Sequence, residues 1–232
     1  MMPIAEKIEH ARDETRTDLH SLLREIRASN VSNLNSLHGR GKVLFSEGEP
    51  ARGIYILRTG RAAVSITSTE GRVVILRMAE AGDVLGLNSV LGGSSYDATV
   101  KTIGPCRTDF VARAELLDLM ERPAGAKTML TILSRELAEL TNRTRSLLLP
   151  QTASARLARL LLDWSRENGL NTSGATRIEK SFTHEEIAQM ICSSRETVTR
   201  LLASMGRRQI IQINSGSILI RDRAALEAMA VG

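Results

Sequence analysis

Residues 182–200 read FTHEEIAQMICSSRETVTR and hold the densest set of side chains able to do chemistry. Thr183, with Glu186 three residues on, has capping-box spacing, so a helix starts there. Ile187, Ala188 and Ile191 give that helix an inner face, and Ala188 is small enough for a second helix to cross closely. Ile191, Cys192 and Ser193 make a short turn, and Ser194 caps a second helix over residues 195–205. Val198, Leu201 and Leu202 form its buried stripe, which leaves Arg195, Glu196, Thr199 and Arg200 together on the opposite side. An Arg fork matches guanine O6 and N7, and a Glu carboxylate accepts from cytosine N4. The hydroxyls of Thr183, Ser194, Thr197 and Thr199, with exposed amides at helix N-termini, suit phosphate oxygens. The same residues also fit a solvated helix face with a Glu196–Arg200 pair four residues apart.

The chain beyond this helix favours base reading over a merely solvated face. Residues 210–213 and 218–220 are apolar runs around the turn at residues 214–216, a β-hairpin placed as the wing of a winged helix-turn-helix. Arg207 and Arg208 lie between helix and wing, within reach of backbone phosphates. Residues 150–232 hold 11 basic and 8 acidic side chains, against 20 and 18 in residues 1–149. The excess of cations is modest and fits either a polyanion partner or a solvated surface.

The elements upstream must position this segment. Residues 4–27 have helical apolar spacing, and residues 30–41 form a Ser/Asn/Gly-rich connector. From residue 41 to 113, short apolar runs at 43–45, 54–57, 62–66, 73–78, 84–85, 99–103 and 108–111 alternate with Gly-containing turns. That pattern predicts antiparallel strands folded as a β-roll or jelly-roll. Pro123 separates a short helix over residues 114–121 from a long one over residues 126–149. In the long helix Ala126, Leu130, Leu133, Leu137, Leu140, Thr144 and Leu147 step alternately by four and three, a heptad seam. Ile132 and a mostly polar set lie off it. The seam predicts a homodimer paired along Leu130, Leu133, Leu137 and Leu140, or a stripe that packs on its own roll. Pro150 ends the helix. Residues 153–168 form an amphipathic helix with Leu157, Leu160, Leu161 and Trp164 on one face, residues 168–176 a polar loop, and residues 177–181 a short strand. The predicted divisions are an N-terminal helix plus β-roll sensor over residues 1–125, a dimerisation helix over 126–150 and a DNA-binding domain over 151–232. The fold class is α+β.

Composition removes other classes. No apolar run approaches the roughly 18 residues of a membrane span, and residues 4–27 carry charges where a secretory signal would be apolar. The two Cys, Cys106 and Cys192, fall in different predicted domains, which points to a reducing cytoplasm and excludes a four-Cys metal site from this chain alone. Cys106 reads as a small buried hydrophobe and Cys192 as packing in the turn. Aromatic residues make up 3%, too few for a base-stacking platform on single strands. No two His lie within five residues, and none falls in the roll after His38, so neither a metal-dependent β-roll enzyme nor a haem site is built. No nucleophile elbow, zincin motif or phosphate loop is present. The chain reads as no enzyme, with no cofactor and no metal.

In this order of elements, and in the Cys-Ser-Arg-Glu-Thr-Val order of the reader helix with Arg200 after it, residues 40–221 resemble Crp/Fnr-type transcription regulators. The matching run here is Cys192, Ser193, Ser194, Arg195, Glu196, Thr197 and Val198. The resemblance implies that Arg195, Glu196 and Arg200 read bases of a palindrome with TGTGA-like half-sites, and it implies double-stranded DNA and RNA polymerase as partners. An Fnr-like TTGAT half-site fits less well, because its readers place Ser where Thr199 stands. The sensor layout also matches, through Glu47-Gly48-Glu49, residues 53–57, Gly60-Arg61 and residues 82–86. The family's cyclic-nucleotide cassette next requires a Glu for the ribose and an Arg followed by Ser or Thr for the phosphate. Here Gly86 is followed by Leu87, Asn88 and Ser89, and Tyr96 and Asp97 occupy the Arg and Ser/Thr positions, with Ala98 next to them in the expected pocket. Leu87 cannot bind a diol and Asp97 repels a phosphate, so cyclic AMP or GMP in the usual mode is not expected unless Arg77 or Arg107 substitutes. Thr141 and Asn142 fall where the family's long helix meets its effector, so a different small molecule, or none, fills this pocket. The competing reading from another class is a cyclic-nucleotide-like signalling adaptor that does not bind DNA, which leaves the winged helix without purpose. Activation or repression is not written in the residues.

Overall fold

Gly53, Ile54, Ile56 and Leu57 are buried along one strand while Tyr55 is half-buried, because this strand lies inside the roll with apolar neighbours on both faces. The computed structural model describes residues 35–93, 95–148, 152–168, 170–172, 175–179, 182–214 and 216–231. The helix expected over residues 4–27 lies outside them. The chain divides into two compact units, residues 1–142 and 143–232.

In the first unit, β1 (Ser36–His38), β2 (Val43–Phe45), β3 (Gly53–Thr59), β4 (Ala62–Thr67), β5 (Val73–Ala79) and β6 (Val84–Leu85) precede a one-turn helix α1 (Leu87–Gly92). Then come β7 (Thr99–Thr102), β8 (Cys106–Ala112), α2 (Arg113–Met120) and α3 (Pro123–Leu148), whose last residues run past the division at residue 142. Two four-stranded antiparallel sheets, ordered β1-β8-β3-β6 and β2-β7-β4-β5, make the roll. Phe45, Ile54, Ile56, Leu57, Leu85, Val100 and Val111 fill it, joined by Leu116, Met129 and Ile132 from the helices. Each fully buried Leu or Ile contributes about 1.5–3 kcal/mol.

All seven strands expected between residues 41 and 113 are present. The connector expected over residues 30–41 contains a strand instead. β1 is three residues long and is set by pairing, Ser36 with Thr108 and His38 with Cys106, rather than by its own propensity. His38 Nε2 is 2.8 Å from Thr108 Oγ1. Burial and the Lys42 charge push the His38 imidazole below its ordinary pKa. Cys106 is buried, its thiol donating to the Arg61 carbonyl, and burial raises its pKa. A thiol held protonated is inert, as expected for a packing residue.

α3 begins at Pro123 rather than Ala126, because proline suits the first helical position, where its missing N–H has no partner to lose. The helix carries two apolar stripes. Met129 and Ile132 turn into the roll, so Ile132, read as off-seam, is a core residue. Leu130, Leu137 and Leu140 face outward, 62%, 67% and 44% exposed, and Leu133 between them is partly buried against the core.

The second unit runs α4 (Ala153–Asn168), β9 (Leu170–Thr172), β10 (Ala175–Glu179), α5 (His184–Met190), α6 (Arg195–Arg207), β11 (Ile211–Asn214), β12 (Ser217–Ile220) and α7 (Arg223–Val231). Its sheet is ordered β11-β12-β10-β9. The expected polar loop over residues 168–176 contains β9, which pairs with β10 through Asn171 and Thr176. β10 begins two residues earlier than the strand expected at 177–181, because its register with β12, Thr176 opposite Ile220, decides where it starts. In α4 the buried set is Leu157, Ala158, Leu161, Leu162 and Trp164, and Leu160 is only half-buried. Trp164 stacks on Phe182 with ring centroids 4.7 Å apart. No helix among the described residues is long and apolar enough to cross a membrane.

Candidate nucleic-acid interface

α5 starts where its capping box places it. The Thr183 amide donates to Glu186 Oε2 at 2.7 Å, and the Glu186 amide donates to Thr183 Oγ1 at 3.2 Å. The turn after α5 needs a left-handed residue, and Cys192 supplies it with φ of 50°. Arg156 of α4 reaches under this turn, its Nε donating to the Ile191 carbonyl at 2.7 Å. That guanidinium satisfies a helix-end carbonyl and fixes the angle between α5 and α6. Ser194 then caps α6, accepting from the Thr197 amide at 3.2 Å.

The buried stripe of α6 is Val198, Leu202 and Met205, packed on Ile187 and Ala188 of α5. Leu201, expected in that stripe, is only half-buried, and Met205 takes the place one turn further on. Arg195, Glu196, Thr199 and Arg200 are all exposed on the other side. Among the described residues no ion pair joins Glu196 to Arg200. Hydrogen bonds from its own backbone amide and from the Ser194 side chain hold the Glu196 carboxyl below its ordinary pKa. Glu196 is therefore a committed acceptor, the form that a cytosine amine needs.

The remaining phosphate candidates fall around this helix. Thr183, Ser194, Arg207 and Arg208 are exposed and Thr197 is half-buried. The Thr199 hydroxyl is turned inward, donating to the Arg195 carbonyl at 2.9 Å with His184 Nδ1 also 2.9 Å away. Gln212, Ile213 and Asn214 are exposed along the wing strand, and Arg221 at its base donates to Gln212 Oε1 at 3.1 Å. Arg221 and His184 escaped the sequence reading. Each owes its place to a partner, nine residues from Arg221 and fifteen from His184, and no local pattern announces either.

In the roll, the residues expected at the effector pocket come together around α1. Gly86 caps α1 at φ of 82°, and a Cβ there would sit 2.8 Å from the Tyr96 ring. Leu87 is fully buried in the core. Ser89 Oγ and Asn88 Nδ2 each donate to the Asp97 carboxylate at 3.0 Å, and the Asp97 amide donates to Ser89 Oγ at 3.1 Å. Tyr96 is buried, stacked on Phe45 with centroids 3.9 Å apart, its hydroxyl donating to the Gly53 carbonyl. Ala98 is buried beside it. Thr141 is exposed and its hydroxyl bonds back to the Leu137 carbonyl; the Asn142 side chain lies outside the described residues.

Neither arginine considered as a substitute phosphate anchor points to that cassette. Arg107 donates to Asn35 Oδ1. Arg77 bridges Asp83 and Glu136, each at 2.9 Å, while Arg135 reaches the second Asp83 oxygen at 3.0 Å. This four-charge network, only 11–18% exposed, ties α3 to the roll. Among the described residues no cluster of His, Cys, Asp and Glu has the grouping that a metal ion needs.

Comparison with known proteins covers both units. Residues 38–123 match the cyclic nucleotide-binding domain and residues 155–229 match the Crp-like helix-turn-helix domain. A CRP-like cAMP-activated global transcriptional regulator of Mycobacterium tuberculosis is 30% identical over 192 residues, 82% of this chain and 85% of that protein. The global nitrogen regulator of Synechococcus elongatus is 29% identical over 81% of this chain and 85% of its own length. Among solved structures, a CRP-family transcriptional regulator of Thermus thermophilus superposes with a TM-score of 0.72 at 24% identity, over 85% of this chain and 97% of that one. The c-di-GMP-responsive global regulator of Xanthomonas campestris superposes at 0.75 with 17% identity, over 87% of this chain and 98% of that one.

Proposed function

The chain belongs to the Crp/Fnr family of DNA-binding transcription regulators, and from that premise we propose that it reads a palindromic duplex as a homodimer, through Arg195, Glu196 and Arg200. One observation carries the reading: these three side chains stand exposed together at the capped N-terminus of α6, with Glu196 held ionised and not spent on Arg200. The half-site is TGTGA-like. Ser194, Thr197, Arg207 and Arg208 hold the backbone on either side of α6, and Thr183 serves chiefly as the cap of α5. Pairing along Leu130, Leu133, Leu137 and Leu140 brings two copies of α6 to one palindrome, whose half-sites lie about 34 Å apart, one turn of the duplex. The regulator works in the cytoplasm on genes transcribed by RNA polymerase and has no catalytic step.

The test is selection of the purified chain against random duplexes at about 0.15 M salt. A two-fold TGTGA-like palindrome is the expected product; monomeric or patternless enrichment excludes the dimeric reader. Arg195→Ala and Arg200→Ala should each cost about 1–3 kcal/mol, confined to one base pair. Equal weakening on every duplex would make them phosphate contacts.

Cyclic AMP or GMP, bound in the usual mode, is not the effector we propose for the roll. By the family resemblance Asp97 stands at a phosphate-binding position of the cassette, and two like charges about 4 Å apart cost roughly 4 kcal/mol near a protein surface. Its oxygens are already taken by Ser89 and Asn88. Titration of the chain with either nucleotide to 1 mM (about −4.1 kcal/mol) should give no heat and no shift in melting temperature. Saturable binding below that would restore the nucleotide reading.

A further inference from the structure

His184 is the first residue of α5, yet its ring reaches across to α6. Its backbone is fixed from one side by the capping box at Thr183 and Glu186. Its Nδ1 lies 2.9 Å from Thr199 Oγ1, and the same oxygen lies 2.9 Å from the Arg195 carbonyl oxygen. A hydroxyl has one proton. Both contacts are satisfied together only in the tautomer with Nδ1–H, where His184 donates to Thr199 Oγ1 and the Thr199 hydroxyl donates to the Arg195 carbonyl. The imidazole therefore donates into a two-bond chain that ends on the main chain of Arg195.

We infer that His184 is a positioning residue for base recognition, holding the first turn of α6 through Thr199 so that Arg195 meets its base in register. The inference rests on the reading of Arg195 as a base contact. The buried side of the helix pair is fixed by Ile187, Ala188, Val198 and Leu202. The His184–Thr199 bond fixes the exposed side, where side chains leave for the groove. Packing alone permits a rolling of α6 about its buried stripe, and a productive contact tolerates only about 0.5 Å and 10–20° of error. A Thr hydroxyl bonded back to the carbonyl four residues earlier also bends a helix slightly. The bend falls in the turn that carries Arg195 and Glu196. Thr199 thus acts by where its hydroxyl is held, not by offering that hydroxyl to phosphate.

The experiment measures dissociation constants of the full chain on a TGTGA-like palindrome, on duplexes with each half-site pair changed in turn, and on an unrelated duplex. The wild type is compared with His184→Ala, His184→Asn, Thr199→Val and Arg195→Ala. Asn is chosen because its side-chain amide can donate from near the Nδ1 position. His184→Ala and Thr199→Val should lower discrimination about tenfold at the base pair where Arg195→Ala lowers it. Affinity for the unrelated duplex and melting temperature should stay unchanged, and His184→Asn should restore discrimination. Equal weakening of His184→Ala on all duplexes would make His184 a phosphate contact and overturn the inference. Undiminished discrimination in both His184→Ala and Thr199→Val would overturn it too, while leaving Arg195 as the reader. If Arg195→Ala relaxes no position, the base-contact reading fails first and the inference falls with it.

Discussion

On the proposed dimer, Leu137→Glu should convert the protein to monomers and weaken its hold on a palindromic site by at least a hundredfold, while each protomer stays folded. Leu137 is 67% exposed, so its removal takes little from the protomer's own core, and surface changes of that kind usually stay within about 0.5 kcal/mol. In a two-fold interface the same residue meets its own copy or a near neighbour, so one substitution places two carboxylates in a single apolar seam. The dimer lost, each half-site must be bound separately. Linked half-sites gain about 10²–10⁴ in avidity over separate ones, and that factor disappears. Leu133 is a poorer probe, because it also packs on the roll and a charge there would unfold the protomer it is meant to test. Sedimentation equilibrium of Leu137→Glu, with affinity on whole and half palindromes, decides the matter. A surviving dimer moves the interface off α3; a monomer that binds the palindrome as well as wild type removes the need for pairing.

The two apolar stripes of α3 show how far the residues alone speak. Their spacing announced a long helix with a heptad seam, but Ile132, one place off the seam, belongs to the roll, and only the position of the sheets tells which stripe is already covered. The strands of the roll were legible because Gly-containing turns at Gly48, Gly60, Gly71 and Gly82 cut the apolar runs, each with positive φ. β1 and β9 were not, because Ser36 and Asn171 are strand residues only through their partners. α7 had a local signal in Asp222, whose carboxylate accepts the Ala225 amide at 2.9 Å. The apolar stretch behind it is short, so that signal alone does not announce a helix. In α6 the exposed side, the cap and the turn before it were written locally, while the place of Met205 in the buried stripe was not. The bond from Thr199 to His184 and the pairing of Arg77 with Glu136, 59 residues apart, exist only after folding.

The Arg77–Glu136 contact belongs to the network whose loss should do most damage to the fold. Asp83→Ala lowers the stability of the first unit by about 3–5 kcal/mol. One Asp83 oxygen takes Arg135 at 3.0 Å, and the other takes Arg77 at 2.9 Å and the Glu80 amide at 3.0 Å. With both arginines at most 14% exposed, removing the carboxylate leaves two guanidiniums in a low-dielectric seam, with Glu136 still opposite Arg77. Broken buried pairs cost more than intact ones contribute, because the surviving charge keeps its desolvation penalty. Asp83→Asn keeps the shape and one acceptor oxygen, so it should fall between wild type and Asp83→Ala and separate charge from packing. Glu136→Gln should cost less than either, since Arg77 retains Asp83. The single tryptophan, Trp164, is in the other unit, so its fluorescence reports the DNA-binding half and should hold its midpoint. The loss must be read instead by hydrogen exchange of α3 amides or by the tyrosine signal of Tyr55 and Tyr96. A Trp164 midpoint that falls with the rest would mean the two units unfold as one. An α3 whose protection is unchanged in Asp83→Ala would mean that apolar packing of Met129 and Ile132, and not the charges, holds the helix on the roll.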